Sequence, residues 1–342
     1  MRAWQLNGVY DLQNHKSPLE LTDLLIPVPE KDEVLIKIIC CGVCHTELDE
    51  IEGRTPPPHY PIIVGHQVVG VVEKLGVDVK QLRLGARVGV AWIFSACGVC
   101  EFCKTGFENL CPDFKATGRD ANGGYAEYMV VKEKFSHPIP ESIKDHEAAP
   151  LLCAGTVGFR ALKLTEIKNG QTLGLAGFGG SNHLVLKLAR HLFPDSRILV
   201  FARSKEEQSF ALSIGATWAG DISERPPVQS HAIIDTTPAW KPITDSLLKL
   251  VSGGRLVINA IRKEASDKKE LLNISYHDHL WMEKEIKTVA NVTRKDVEEF
   301  LKLATAIPIK PAIQIYPFDL ANQALLDLKH KHVKGAKVLV MG

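Results

Sequence analysis

Residues 171–192 read QTLGLAGFGGSNHLVLKLARHL: an apolar run, a glycine turn, then apolar residues at helical spacing. A strand that turns through glycine into an amphipathic helix is the first half of a βαβ unit. The stretches that follow repeat the alternation. SRILVFARS, HAIIDTTP and RLVINA read as strands, and KEEQSFALSIGA (ended by Gly215) and WKPITDSLLKLVSGG as helices between them. Strands separated by helices of about ten residues predict a parallel, doubly wound sheet, so the fold class is α/β. The chain has a different character before Pro150. Apolar runs at EVLIKIIC, HQVVGVVEKLG, ARVGVAW and YAEYMVV, cut by turns such as RTPPPHYP and DANGG, predict a β-rich, barrel-like unit. The tail is mixed, with helices in RKDVEEFLKLA and LANQALLDLKH and strands near AIQIYPF and GAKVLVMG. With 342 residues, two domains are expected.

Within the glycine turn, Gly177-x-Gly179 matches the start of the dinucleotide fingerprint, and Gly180 follows. There the first glycine makes the turn, the second lets backbone approach a pyrophosphate, and amides at the helix start bind the phosphates. The third fingerprint position holds Asn182, not glycine. A plain strand–helix turn, which also favours glycine, is the competing reading. The residue that grips the adenosine ribose is expected at the end of the next strand. VFARSK places Ala202 there, followed by Arg203, Ser204 and Lys205. Basic residues favour the 2′-phosphate of NADP, with NAD possible if they are only solvated charges at a helix start.

Half of the eight cysteines lie in CGVCEFCKTGFENLC, at Cys97, Cys100, Cys103 and Cys111. Cross-linking, metal binding and core packing are the three readings. MRAWQLNGVYDL carries no signal pattern and no run of eighteen apolar residues occurs, so a cytoplasmic, reducing setting is expected. Metal then outranks disulfide, and the neighbouring Gly98, Lys104, Gly106 and Glu108 mark an exposed loop rather than a core. A four-thiolate zinc site is closed and performs no chemistry by itself. With 45% hydrophobic residues, 24% charged and a net charge of +1, the chain has no footprint for nucleic acid or an anionic membrane. Three further candidates stand apart in sequence: Cys44 in CGVCHTE, His66 in GHQVVG and Cys153 in LLCAGT. Two cysteines and one histidine form a known open zinc set. Spacing alone does not join them, and a lone histidine before a β-run is usually structural.

Along its whole length the chain resembles the zinc-dependent medium-chain alcohol dehydrogenases. CGVCHTEL, VGHQVVGVV, the four-cysteine lobe, LLCAGTVGFRAL, GFGG and the C-terminal return segment carry the resemblance. It implies a GroES-like catalytic domain over residues 1–151, to which 292–342 return, and a Rossmann domain over 152–291. It implies two zinc ions per chain: a catalytic one on Cys44, His66 and Cys153, and a structural one on Cys97, Cys100, Cys103 and Cys111. The substrate would be a primary aliphatic or aromatic alcohol or aldehyde, exchanging hydride with NAD(P). Thr46 matches the hydroxyl that takes the alcohol proton, though an ordinary helix cap is the alternative. Asp49 stands where relatives often end the relay in histidine. His45, Thr156 and Lys337 match cofactor-facing positions, and Trp92 and Ile93 match the pocket wall, or else are core residues. Gln67 replaces a glutamate that many relatives carry, and cannot act as a base. Relatives form dimers or tetramers, so a homo-oligomer is implied. Polyol dehydrogenase, zinc-free quinone reductase and a non-catalytic zinc scaffold are the rival functions.

Overall fold

Thr172–Ala176 is buried at all its positions, as a strand covered on both faces must be. In the computed structural model, which describes residues 1–307, 309–330 and 335–342, it lies at the centre of a six-stranded sheet. The order is Trp218–Gly220, Arg197–Phe201, Thr172–Ala176, Ser230–Asp235, Leu250–Ile258, Glu285–Thr288, and every pairing is parallel. Chain order reverses between Thr172–Ala176 and Ser230–Asp235, the switch point at which doubly wound sheets bind ligands. This Rossmann-like sheet forms one unit, Val157–Asn291. Its core packs Ala176, Leu199, Phe201, Ile233, Ile243, Leu247, Leu250 and Leu256.

Two strands of this sheet escape the sequence reading. Trp218–Gly220 has three residues and Glu285–Thr288 is exposed at every position, so neither shows a hydrophobic period. A third difference is local. VSGG, read as the end of a helix, belongs to the strand Leu250–Ile258, whose register shifts opposite Ser230 and Ala232.

The other unit comprises Met1–Thr156 and Val292–Gly342. The first boundary therefore falls five residues beyond Leu151, where the sequence reading set it, and Cys153 sits with the β-rich unit. The central strand Glu33–Val43 pairs antiparallel with Val68–Leu75, Tyr128–Lys132 and the returning Ala336–Val340. That last strand pairs in parallel with Ile313–Pro317. A three-stranded sheet of Leu19–Asp23, Arg2–Leu6 and Ile62–Ile63 lies beside it in the same unit. Among the described residues no helix is long and apolar enough to cross a membrane.

Candidate active site and metal centres

The β-rich unit brings Cys44, His66 and Cys153 together. Their ligand atoms all lie within 4.8 Å of one another. Each arrives on a different element. Cys44 caps the short helix His45–Ile51 directly after the central strand, and its backbone N–H donates to Glu47 Oε2 at 2.6 Å. His66 precedes the strand Val68–Leu75, where Gly65 turns the chain at φ +98°. A Cβ on Gly65 would sit 2.3 Å from the Tyr125 ring, so only glycine allows this approach. Cys153 rides on the wide helical turn Leu151–Gly155, which follows Pro150; such π-type turns recur at functional sites.

Glu47 fixes the histidine. Its Oε1 lies 2.5 Å from His66 Nδ1, both groups fully buried, which leaves Nε2 3.3 Å from Cys153 Sγ. A carboxylate on one ring nitrogen presents the other nitrogen to a metal as an acceptor. The three groups are electrostatically coupled. Contact with Cys153, set against burial, holds the Cys44 thiol well below its usual range, and His66 adds to the effect. The same contact and burial raise Cys153. Burial disfavours the His66 cation, but Glu47 and Cys44 outweigh it and push the imidazole well above its ordinary value. Two thiols and an oriented imidazole suit zinc with one position left for another ligand.

Other expected residues of this unit take varied positions. Thr46 is half-buried, with Oγ1 3.7 Å from Cys44 Sγ, while His45 is exposed. Asp49 is buried and meets Arg54 Nε at 2.5 Å. Gln67 is buried against Gly42, whose N–H donates to the Gln67 carbonyl at 3.0 Å. Thr156 is buried and donates its hydroxyl to Leu151 O at 2.8 Å. Lys337 faces Val43 across the ladder and is buried, its Nζ donating to Gln314 Oε1 at 3.0 Å and Tyr316 Oη at 2.9 Å. Trp92 is half-buried with its ring 5.1 Å from Phe114, and Ile93 is fully buried.

The four-cysteine lobe also closes on itself, its sulfurs within 4.8 Å of one another. Backbone N–H groups of Val99 and Cys100 point at Cys97 Sγ and lower its thiol to about 6. Four converging sulfurs, with amides favouring the thiolate form, fit a structural zinc ion. Glu108, expected on an exposed loop, is instead buried, because it accepts from Arg294 N at 2.9 Å and Nε at 3.1 Å and ties the lobe to the helix Arg294–Ala306.

In the Rossmann-like unit the glycine turn and VFARSK are neighbours, since Gly177 N donates to Phe201 O at 2.9 Å. Gly177 adopts φ +77°, and a Cβ there would meet Thr236 Oγ1 at 2.9 Å. Gly179 and Gly180 are exposed, with open space where a Cβ would stand, which fits a cradle for phosphate. Asn182 explains the missing third glycine. It is fully buried, and its Nδ2 lies 3.1 Å from Ala176 O, 2.7 Å from Gly177 O and 3.2 Å from Thr236 Oγ1. A polar clip across two strand ends thus replaces close glycine packing. Arg203 is exposed, Ser204 accepts from Glu207 N as a helix cap at 3.1 Å, and Lys205 Nζ reaches Gln208 Oε1 at 2.9 Å.

Comparison with known proteins agrees with this architecture. Residues 30–141 match the alcohol dehydrogenase GroES-like domain. The chain is 38% identical to a probable alcohol dehydrogenase, AdhA, of Mycobacterium tuberculosis, over 100% of this chain and 97% of the relative. The chain belongs to the zinc-type medium-chain alcohol dehydrogenase family. An alcohol dehydrogenase of Geobacillus stearothermophilus is 32% identical over 95% of this chain and 96% of its own. Cinnamyl alcohol dehydrogenase SbCAD4 from Sorghum bicolor superposes with a TM-score of 0.87 at 26% identity, covering 99% of this chain and 97% of that one. The two units are the family's GroES-like and Rossmann-like domains. Sequence reasoning missed Glu47, Arg54 and the work of Asn182; the signal for Glu47 was its place three residues after Cys44, the spacing of a capping box.

Proposed function

We propose that this member of the alcohol dehydrogenase family is a zinc-dependent alcohol dehydrogenase and aldehyde reductase that moves hydride between a primary alcohol or its aldehyde and NAD(P). The observation that carries the reading is the convergence of Cys44, His66 and Cys153, with Glu47 orienting the imidazole. Cys44 and Cys153 would hold zinc as thiolates and His66 through Nε2. Zinc with an open position supplies Lewis-acid polarisation of the substrate oxygen, and NAD(P) supplies the hydride acceptor or donor. Thr46 Oγ1, beside Cys44, takes the alcohol proton, and Asp49 is the next acceptor, kept in place by Arg54. Trp92, half-buried, narrows the pocket to slender or planar substrates, whereas the fully buried Ile93 is a core residue, and the likeness to a cinnamyl alcohol dehydrogenase supports including aromatic ones. Cys97, Cys100, Cys103 and Cys111 would hold the second zinc and brace the lobe.

On the cofactor side, Gly177, Gly179 and Gly180 cradle the pyrophosphate, and His45, Thr156 and Lys337 are the further candidate cofactor contacts. Arg203, exposed after Arg197–Phe201, and the capped helix start at Ser204 and Lys205 favour NADP, since both can meet a 2′-phosphate. Eight free cysteines suit a reducing, cytoplasmic setting. The exposed edge strand Glu285–Thr288, with Ile286 outward, supports pairing with a second copy in a homodimer or homotetramer. Steady-state rates with NADPH and NADH against benzaldehyde, acetaldehyde and a sugar test the reading. It expects turnover of the aldehydes with a preference for NADPH, and a rise of about tenfold in the NADPH KM, with little change for NADH, in Arg203→Ala. A scaffold without hydride transfer shows no rate with either cofactor, and a clear NADH preference reverses the role given to Arg203.

A further inference from the structure

The helix His45–Ile51 buries three acidic side chains, and two of them have evident partners. Glu47 meets His66 and the Cys44 amide, and Asp49 meets Arg54. Glu50 differs. It is 0% exposed, and neither carboxylate oxygen has a hydrogen-bond partner among the described residues. The groups whose charge acts on it are Glu47, His66, Cys44 and Arg119. Arg119 is already paired with Asp120 at 2.8 Å. Burial and the nearby Glu47 both disfavour the charged form. Protonation does not resolve the position, because a buried carboxylic acid also needs an acceptor for its own hydrogen.

Of the groups acting on Glu50, only His66, when protonated, and the already paired Arg119 are positive. Two thiolates and a neutral imidazole only balance a divalent cation, and the residue beside His66 is the neutral Gln67, packed on Gly42. We infer that Glu50 is a metal-retaining carboxylate: from one helical turn behind Glu47, its charge holds zinc in the Cys44–His66–Cys153 site, the part that Gln67 does not play. The inference rests on those three residues being zinc ligands. It has a thermodynamic signature that ordinary packing lacks. Without the cation the Glu50 carboxylate opposes burial, and a divalent cation bound nearby attracts that charge and offsets part of the cost. Neutralising Glu50 therefore weakens zinc binding while leaving the zinc-free protein as stable or more stable.

The test is a chelator titration of the purified zinc-loaded enzyme, with zinc per chain counted at each step and the four-cysteine site as internal reference. Melting temperatures are then compared after the open site has been stripped. Glu50→Gln should lose the open-site zinc at a chelator concentration about tenfold lower or less, the usual scale for outer-shell carboxylates. Its stripped form should melt at or above the wild-type stripped form. Glu50→Met, which keeps the volume without polar atoms, should behave alike. A smaller loss, a lower melting point of the stripped variant, or failure of both variants to fold overturns the inference. Wild-type enzyme that holds only one zinc removes the ligand reading itself, and so the two failures are told apart.

Discussion

Asn182 occupies a position where the dinucleotide fingerprint has glycine, yet it is fully buried and bonded to the ends of two strands, at Ala176 and Gly177 and at Thr236. Its amide hydrogens serve carbonyls that a glycine would leave to water or to closer helix contact. Asn182→Ala should therefore cost about 1–3 kcal/mol, the penalty for stranding buried polar groups. Asn182→Gly should not restore the loss, because here the site is built around the amide. A urea titration reads both, and a wild-type midpoint in Asn182→Ala would contradict the clip. At this scale the legible residues were those whose chemistry is rare. The four clustered cysteines pointed to a metal site by their spacing, whereas His66 alone read as structural and only the family resemblance joined it with Cys44 and Cys153 as candidate ligands. Residues that act on ligands were hidden. ELDE holds three acids in four positions, and no pattern in it tells that Glu47 turns to His66, Asp49 to Arg54, and Glu50 to neither.

His137 links two elements of the β-rich unit, the short strand His137–Pro138 and the helix Arg294–Ala306. It is buried, 4.0 Å from Glu298, and burial together with Arg294 lowers its pKa to about 4. In the unfolded chain it returns to about 6.5. Between these values the unfolded state binds the extra proton, so stability rises with pH there. The contribution is complete above about pH 6.5 and is lost as pH falls to about 4, on the order of 3 kcal/mol. Comparing urea midpoints of the wild type and His137→Gln across that range isolates it. The variant should fall less steeply, and parallel curves would contradict the assignment. Elements with a strong period were readable, such as the buried strand Thr172–Ala176 and the helix Asn182–Leu192 that follows it. Glu285–Thr288 was not, because an exposed edge strand has no buried face to write an alternation into the sequence.

For the molecule as a whole, the split β-rich unit follows from its sheet. Ala336–Val340 closes against the central strand Glu33–Val43, so the C-terminal segment must return to the N-terminal domain. The same topology assigns Cys153 to that domain, although it lies beyond the boundary expected near Leu151. All three residues of the open metal set thereby belong to one compact unit, and their convergence does not depend on how the domains sit. The parallel sheet and its switch point, where the proposed nucleotide site lies, belong to the other unit. This division was legible as a change of rhythm in the sequence, from short apolar runs to alternating strands and helices. The exact boundary was not, because Leu151–Gly155 continues into the helix Thr156–Leu164 with no turn residues between them.

The central claim is that Cys44, His66 and Cys153 hold one zinc ion while the four-cysteine lobe holds another. Elemental analysis of purified wild-type protein and Cys44→Ala, each checked for fold by circular dichroism, tests it most directly. The account predicts two zinc ions per chain in the wild type and one in the variant, with the fold intact and turnover lost. One zinc in both proteins, or two in both, would contradict it.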